Sequence, residues 1–384
     1  MTAPIYYSAL ELANLIKHSN SGAAVVLGGP QATFLDEECL GRSAADAVVL
    51  GEGEQTMLDI AASIESGGMC DFDGVTYRDE DTVVKNPDRR PIAGLDNIPF
   101  PVRHLMPTEK YSPPKSTGVI SSMGCPFRCI FCASSNLYHK TFRSRSAYNV
   151  FEEVAHLVAQ GYENVTMLDD NFILNKERVF EFADLLEEHN LKFDWSCTGC
   201  VDSIDEDMLR RLSEVGCNGL FFGNESAANE TLEVIRKGFT TEQVIAAFDV
   251  LKKYNYTTTA SFMIGLPGDD QQKVIDIISL AKRINPDFAM FLVTTPYAGT
   301  ELYEKIDQDD IELTVNDWSQ FTLAKPVVCT SALSTKDLRQ LLVKAYVSFY
   351  MRASFAARAV AKKQLRFVLS PVKAVVTSVV CSLF

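Results

Sequence analysis

Between residues 117 and 294 the chain repeats one pattern six times, a short apolar or β-branched run followed by a longer stretch of helical periodicity. The runs are TGVISS (117–122), ENVTML (163–168), KFDWSC (192–197), GLFFG (219–223), TTASFMIG (258–265) and DFAMFLVT (287–294). The intervening helical stretches fall at 147–160, 175–188, 205–214, 241–254 and 270–284. Strands separated by a helix pair in parallel, because a hairpin cannot return the chain to the same end of the sheet. Six units are too few to close an eight-stranded barrel, so the expected class is α/β with a partial (β/α)6 TIM-like barrel. Loops after the carboxyl ends of such strands carry chemistry.

The flanks predict three further segments. Ahead of the barrel, AVVLGG with Gly28 and Gly29, AVVLGEGE, and helical stretches at 10–17 and 55–64 give two β/α units over residues 1–73, a truncated Rossmann-like half-domain. Residues 74–112 begin GVTYRDEDTVVKNPDRRPIAGLDNIPFP and predict a hairpin and a proline-rich linker. The barrel then occupies 113–316 and a helical, basic extension 317–384.

Composition removes several function classes. A chain of 384 residues that is 47% hydrophobic can bury a large core, and a formal charge of −14 opposes general nucleic-acid binding. Ten cysteines without a signal-peptide pattern at the start predict a reduced, cytoplasmic protein whose cysteines are thiols or metal ligands.

Three of those cysteines, Cys125, Cys129 and Cys132, stand in GCPFRCIFC just after the first barrel strand. Two chemistries use such a set. Zinc would need a fourth ligand, for which His139 or the pair Cys197 and Cys200 in CTGC would have to serve, although CTGC also reads as a strand end. An iron–sulfur cluster held by three thiolates leaves one iron without a protein ligand, open to a substrate or cofactor.

The CxxxCxxC spacing with an aromatic residue before the last cysteine, here Phe131, resembles the radical S-adenosylmethionine superfamily. The order CPFRCIFC, RSRS, MLDDNF, GCNGLFFGNES, MIGLPGDD and TPYAGTELYE is similar to the branch carrying an N-terminal cobalamin-binding domain. The resemblance implies a [4Fe-4S] cluster on Cys125, Cys129 and Cys132, with S-adenosyl-L-methionine chelating the fourth iron. One-electron cleavage of that cofactor would give a 5′-deoxyadenosyl radical able to abstract hydrogen from an unactivated C–H bond.

By the same resemblance Phe131 lies against the adenine and Asp169 and Asp170 accept from the cofactor's ammonium, or else cap the next helix. Glu225 makes polar contacts to the cofactor, or is a salt-bridged loop residue. Met263, Ile264 and Gly265 border the adenine, or are core. Arg143 and Arg145 are left without a role. Two positions depart from the family pattern, Cys200 where arginine is usual and Ala298 where proline is usual.

The DxHxxG motif of the family's cobalamin domain is missing, and none of His18, His104, His139, His156 and His189 stands in a comparable one. The expectation is therefore that cobalamin is not tightly bound and that residues 1–73 buttress the barrel. The carboxyl end has no acidic residue from Leu338 onward, while Lys344, Arg352, Arg358, Lys362, Lys363 and Arg366 share one side of a continuous helix. Tyr346, Phe349, Tyr350, Val360, Phe367 and Val368 lie opposite. This predicts peripheral contact with an anionic membrane, or a helix packed on the acidic body.

Three functions follow. The leading expectation is a radical enzyme acting on a hydrophobic small molecule (lipid, isoprenoid, porphyrin or secondary metabolite), served by an electron donor such as ferredoxin or flavodoxin. The alternatives are a cobalamin-dependent C-methyltransferase and a catalytically silent iron–sulfur scaffold.

Overall fold

A computed structural model describes residues 1–66, 72–107, 110, 115–306, 308 and 310–355. Six parallel strands, β5 (Ser116–Val119), β6 (Asn164–Met167), β7 (Asp194–Gly199), β8 (Cys217–Glu225), β9 (Thr257–Ile264) and β10 (Phe288–Val293), form one sheet in sequential order. Each strand pairs with its predecessor, the open-barrel arrangement that the six repeats predict.

The crossover helices cover one face of that sheet, and the sequence states where they begin. Ser146 accepts from Asn149 N, Asn175 from Arg178 N, Asp205 from Met208 N and Asp270 from Lys273 N, while Thr240 and Gln243 complete a capping box. These are the helices α3 (Ala147–Ala159), α4 (Lys176–Glu188), α5 (Glu206–Glu214), α6 (Thr241–Leu251) and α7 (Gln271–Ile284), behind α1 (Tyr6–Ser19) and α2 (Glu54–Ser66) near the amino end. Each cap satisfies an otherwise orphaned N–H, worth about 1 kcal/mol. Strand residues facing the helices are buried, among them Val165, Met167, Trp195, Phe222 and Phe291. Trp195, Phe172 and Phe182 meet edge to face between β7 and α4, with centroids 5.6 to 6.1 Å apart.

The amino-terminal unit is a four-stranded sheet. β1 (Val26–Leu27) and β2 (Ala47–Val49) are parallel, as the two β/α units predict. The predicted hairpin forms as β3 (Val75–Asp79) and β4 (Thr82–Lys85), but β3 pairs antiparallel with β2. It thus completes the small sheet instead of spanning a linker, because Val75 can pack beside Ala47, Val49 and Ile60.

Beyond the barrel, α8 (Thr335–Tyr350) opens on a capping box between Ser334 and Asp337 and lies against β10 and α7. Tyr350 Oη accepts from Ala289 N at 3.1 Å and donates to Ala289 O at 2.9 Å, and Tyr346 Oη accepts from Phe291 N at 3.3 Å. The apolar side expected to face a membrane is therefore core over this helix, with Phe349 and Tyr350 buried. Arg358, Val360, Lys362, Lys363, Arg366, Phe367 and Val368 lie outside the described residues. Among the described residues no helix is long and apolar enough to cross a membrane.

Candidate functional site

The loop after β5 brings Cys125, Cys129 and Cys132 to the carboxyl end of the sheet, half-buried and unpaired by disulfides. Gly124 makes the turn possible: its φ is +82°, and a Cβ there would stand 2.2 Å from Thr141 O. Burial pushes the Cys125 thiol up to about 11 and raises Cys129 and Cys132 as well. Opposing this, the backbone N–H of Phe127 points to Cys125, and those of Ser134 and Ser135 point to Cys132.

Such amide donors stabilise thiolates, which a metal requires of its sulfur ligands. Among the described residues no three His, Cys, Asp or Glu side chains converge as ligands of a single ion would. A cubane cluster asks for less convergence, since each thiolate takes a different iron. The loop therefore fits an iron–sulfur cluster better than zinc.

Around this loop the acidic residues separate into different roles. Asp169 is only 4% exposed and accepts from Ser121 N at 3.0 Å and from the Ser121 and Ser122 hydroxyls. Arg178 donates to Ser121 Oγ at 2.8 Å, so the serine links a buried carboxyl to a buried guanidinium. Burial raises the Asp169 carboxyl, against the lowering effect of Ser122, Arg178 and Ser121. Its oxygens are thus committed to tying the end of β6 to the chain after β5. Asp170 is exposed and accepts from Ser134 Oγ, beside the cysteine loop. Neither caps α4, a task that Asn175 performs.

Glu225 stands at φ +62° at the end of β8, where the register shifts, and pairs with Lys237 Nζ at 2.9 Å. Lys237 also lies 5.6 Å from the ring centroids of Phe131 and Phe239. Burial works to lower the Lys237 ammonium, but Glu225, Cys129 and Cys200 together hold it above its ordinary value. Lys237 was not singled out from the sequence; its only signal is a basic residue following GNES by a dozen positions. Cys200 is thus beside a cation supplied from a different element. Burial pushes the Cys200 thiol up to about 12.

On β9, Met263 and Ile264 are buried, and Gly265 N and Leu266 N donate to Asp269 Oδ2 at 3.0 Å each. Of the two arginines without an expected role, Arg145 pairs with buried Glu153 and donates to Ile120 O. Arg143 pairs with Glu52 and donates to Ile92 O, joining the GEGE loop after β2 to the barrel. Cys197 is buried beside Cys217 on the helix-facing side and takes no part in the site. Asn171 and Asn224, near the carboxyl ends of β6 and β8, bury amide groups that have no hydrogen-bond partner among the described residues. Orphaned amides at that end suit a site completed by a polar cofactor.

The small sheet meets the cysteine loop across a cavity of about 250 Å³. Thr33 lines it from the short helix Pro30–Phe34 after β1, Gly51 and Glu52 from the loop after β2, and Asn136, Leu137 and His139 from the segment after the cysteines.

Comparison with known proteins agrees with both halves. Residues 119–281 match the Radical SAM superfamily and residues 5–61 match the B12 binding domain. An uncharacterised methyltransferase of Pyrococcus horikoshii is 35% identical over 362 residues, covering 91% of this chain and 77% of that protein. The anaerobic magnesium-protoporphyrin IX monomethyl ester cyclase of Rubrivivax gelatinosus is 29% identical, covering 92% of this chain and 65% of that protein. The chain therefore spans about two thirds to three quarters of these curated relatives. Among solved structures, the radical S-adenosylmethionine methyltransferase TsrM from Kitasatospora setae, with cobalamin and a [4Fe-4S] cluster bound, superposes with a TM-score of 0.67 at 18% identity. That likeness covers 79% of this chain and 63% of TsrM and is a likeness of fold. The chain belongs to the radical S-adenosylmethionine superfamily, in the branch that joins the partial barrel to a B12 binding domain.

Proposed function

We propose that this radical S-adenosylmethionine enzyme is a cobalamin-dependent C-methyltransferase. This replaces the expectation of hydrogen abstraction without corrin. The observation that carries it is the junction between the two units, where the Gly51–Glu52 loop of the B12-matching sheet shares a cavity with the segment following the cysteines. A Cβ on Gly51, whose φ is +63°, would meet no atom within 4 Å, so the loop leaves open space there. The 250 Å³ cavity is smaller than a corrin, so binding would part the loops on either side. Names among the relatives point the same way, including the bacteriochlorophyllide d C-8(2)-methyltransferase of Chlorobaculum tepidum, 24% identical.

In this reading Cys125, Cys129 and Cys132 hold a [4Fe-4S] cluster, and residues 5–61 with the Gly51–Glu52 loop hold the corrin. When bound, the cluster supplies an electron to S-adenosylmethionine and the corrin carries a methyl group. Asp170 is the carboxylate left accessible for the cofactor's ammonium. Lys237 offers a cation toward its carboxylate, and Phe131, Met263 and Gly265 border the adenine. The Arg143–Glu52 pair ties the two units, and it would open as the loops part. An electron donor of ferredoxin or flavodoxin type serves the cluster. The units are best divided after β4, so that the hairpin belongs with the corrin-binding sheet.

Anaerobic purification with iron, sulfide and hydroxocobalamin tests the reading. Stoichiometric iron–sulfur and corrin absorption is expected, together with S-adenosylhomocysteine formation that depends on cobalamin. Protein that keeps its cluster and cleaves S-adenosylmethionine but takes up no corrin returns the function to hydrogen abstraction.

A further inference from the structure

Among the described residues the concave face of the six-stranded sheet holds an open cavity. Closed eight-stranded barrels fill their interior with layers of branched apolar side chains, but this six-stranded sheet does not close. Here the inward positions of β6 to β9 include Thr166, Ser196, Thr198, Thr257 and Thr259, and they border a cavity of about 860 Å³ opening toward the amino ends of the strands. Such a volume lies in the range of ligand sites. Eight hydroxyl or amide side chains line it together with the rings of Phe221 and Phe288, and no lining residue is charged, in a chain where 22% of residues are. The Thr166 and Ser196 hydroxyls already meet across the β6–β7 pair at 3.2 Å.

This lining selects by exclusion. A charged ligand would find no counter-ion there, and an apolar one would strip water from eight polar groups without replacing its hydrogen bonds. An uncharged polyol satisfies both donors and acceptors, while its C–H faces can rest on the two phenylalanine rings. Thr198 is the lining residue of β7 nearest its carboxyl end. Thr198 stands two residues before Cys200, about 7 Å along the strand direction.

We infer that the concave face of the barrel sheet is a binding site for an uncharged, polyhydroxylated molecule of sugar type. Taking that molecule for the methyl acceptor rests on the proposed function; the binding does not.

Saturation-transfer NMR on full-length, anaerobically purified protein tests it. The probes are the methyl glycosides of glucose, galactose and mannose, and maltotriose, with octanoate and glucose 6-phosphate as comparators. At least one neutral sugar is expected to bind in preference to both comparators. The Thr166→Val, Thr198→Val, Thr259→Val triple variant keeps the volume and removes three hydroxyls, and should weaken that binding tenfold or more. Should the triple variant not melt cooperatively, Ser196→Phe, which fills the cavity, should abolish the binding instead. The inference fails if no neutral sugar binds, if octanoate or glucose 6-phosphate binds more tightly, or if sugar binding survives these substitutions. Iron–sulfur and corrin spectra are read separately, so failure here leaves the methyl-transfer reading standing, and failure there leaves the sugar site standing.

Discussion

The two ends of the barrel sheet are built from the same six strands yet have opposite chemistry. At the carboxyl ends stand three thiols, the Glu225–Lys237 pair, the Asp169–Ser121–Arg178 link and the Arg143–Glu52 tie to the small sheet. Toward the amino ends the cavity on the concave face is lined by hydroxyls, amides and two phenylalanine rings, with no charged residue in the lining. Strand alternation fixes which face a side chain takes, but the loops decide what chemistry each end receives. Charge collects around the thiols and is missing from the lining of the cavity.

The largest test of this contrast is the cysteine loop. Replacing Cys125, Cys129 or Cys132 by alanine should remove iron–sulfur absorption and all S-adenosylmethionine cleavage, while Cys197→Ala should keep both. A single-alanine variant of the loop that still cleaves the cofactor would place the chemistry elsewhere.

Next come the two adjacent aspartates. Asp169→Ala leaves Arg178 buried without its carboxyl and should cost about 3 kcal/mol or more in denaturant unfolding. Asp170→Asn should change stability by less than about 0.5 kcal/mol, as an exposed residue does. Its effect should instead be weaker S-adenosylmethionine binding, and equal losses of stability in the two variants would erase the division of roles.

A comparable effect is expected from Asp269, whose carboxyl burial raises to about 6 while the Leu266 and Gly265 amides and Lys273 lower it. Its Oδ1 has no hydrogen-bond partner among the described residues, which suits a protonated group. Because the folded carboxyl binds its proton more tightly than the unfolded one at 3.8, its contribution is complete below pH 3.8 and lost as pH rises to about 6. The span corresponds to about 3 kcal/mol. Melting of the parent and of Asp269→Asn across pH 4 to 7 should diverge over that window; parallel profiles would mean the group titrates as if exposed.

Lys237→Met should keep the cluster and weaken S-adenosylmethionine binding about tenfold, the scale of one charge-assisted hydrogen bond. Unchanged affinity with lower stability would make Lys237 only the partner of Glu225. Of similar size is Tyr350→Phe, which removes two hydrogen bonds to Ala289 and should cost about 1 to 2 kcal/mol. No loss in thermal melts would mean that α8 is not held to β10 as described.

Much of this molecule is legible in one dimension. Six β/α units in sequence order force a parallel sheet, the caps at Ser146, Asn175, Asp205, Thr240 and Asp270 punctuate its helices, and CPFRCIFC places the thiols after the first strand. These features depend on local periodicity and on contacts within a few residues, which the order of amino acids specifies directly. Folding in space decided the rest. MLDD offers two similar carboxylates, and only the serines after β5 and Arg178 bury one and leave the other in solvent. The hairpin reads as a connection until β2 accepts it as a third strand. Lys237 reaches Glu225 and Phe131 because separate loops converge at the sheet's carboxyl ends, and the aromatic stripe of α8 turns inward because β10 offers an apolar edge with free backbone groups. Long-range partners set burial, and burial sets charge state, so the roles of these residues follow from tertiary packing.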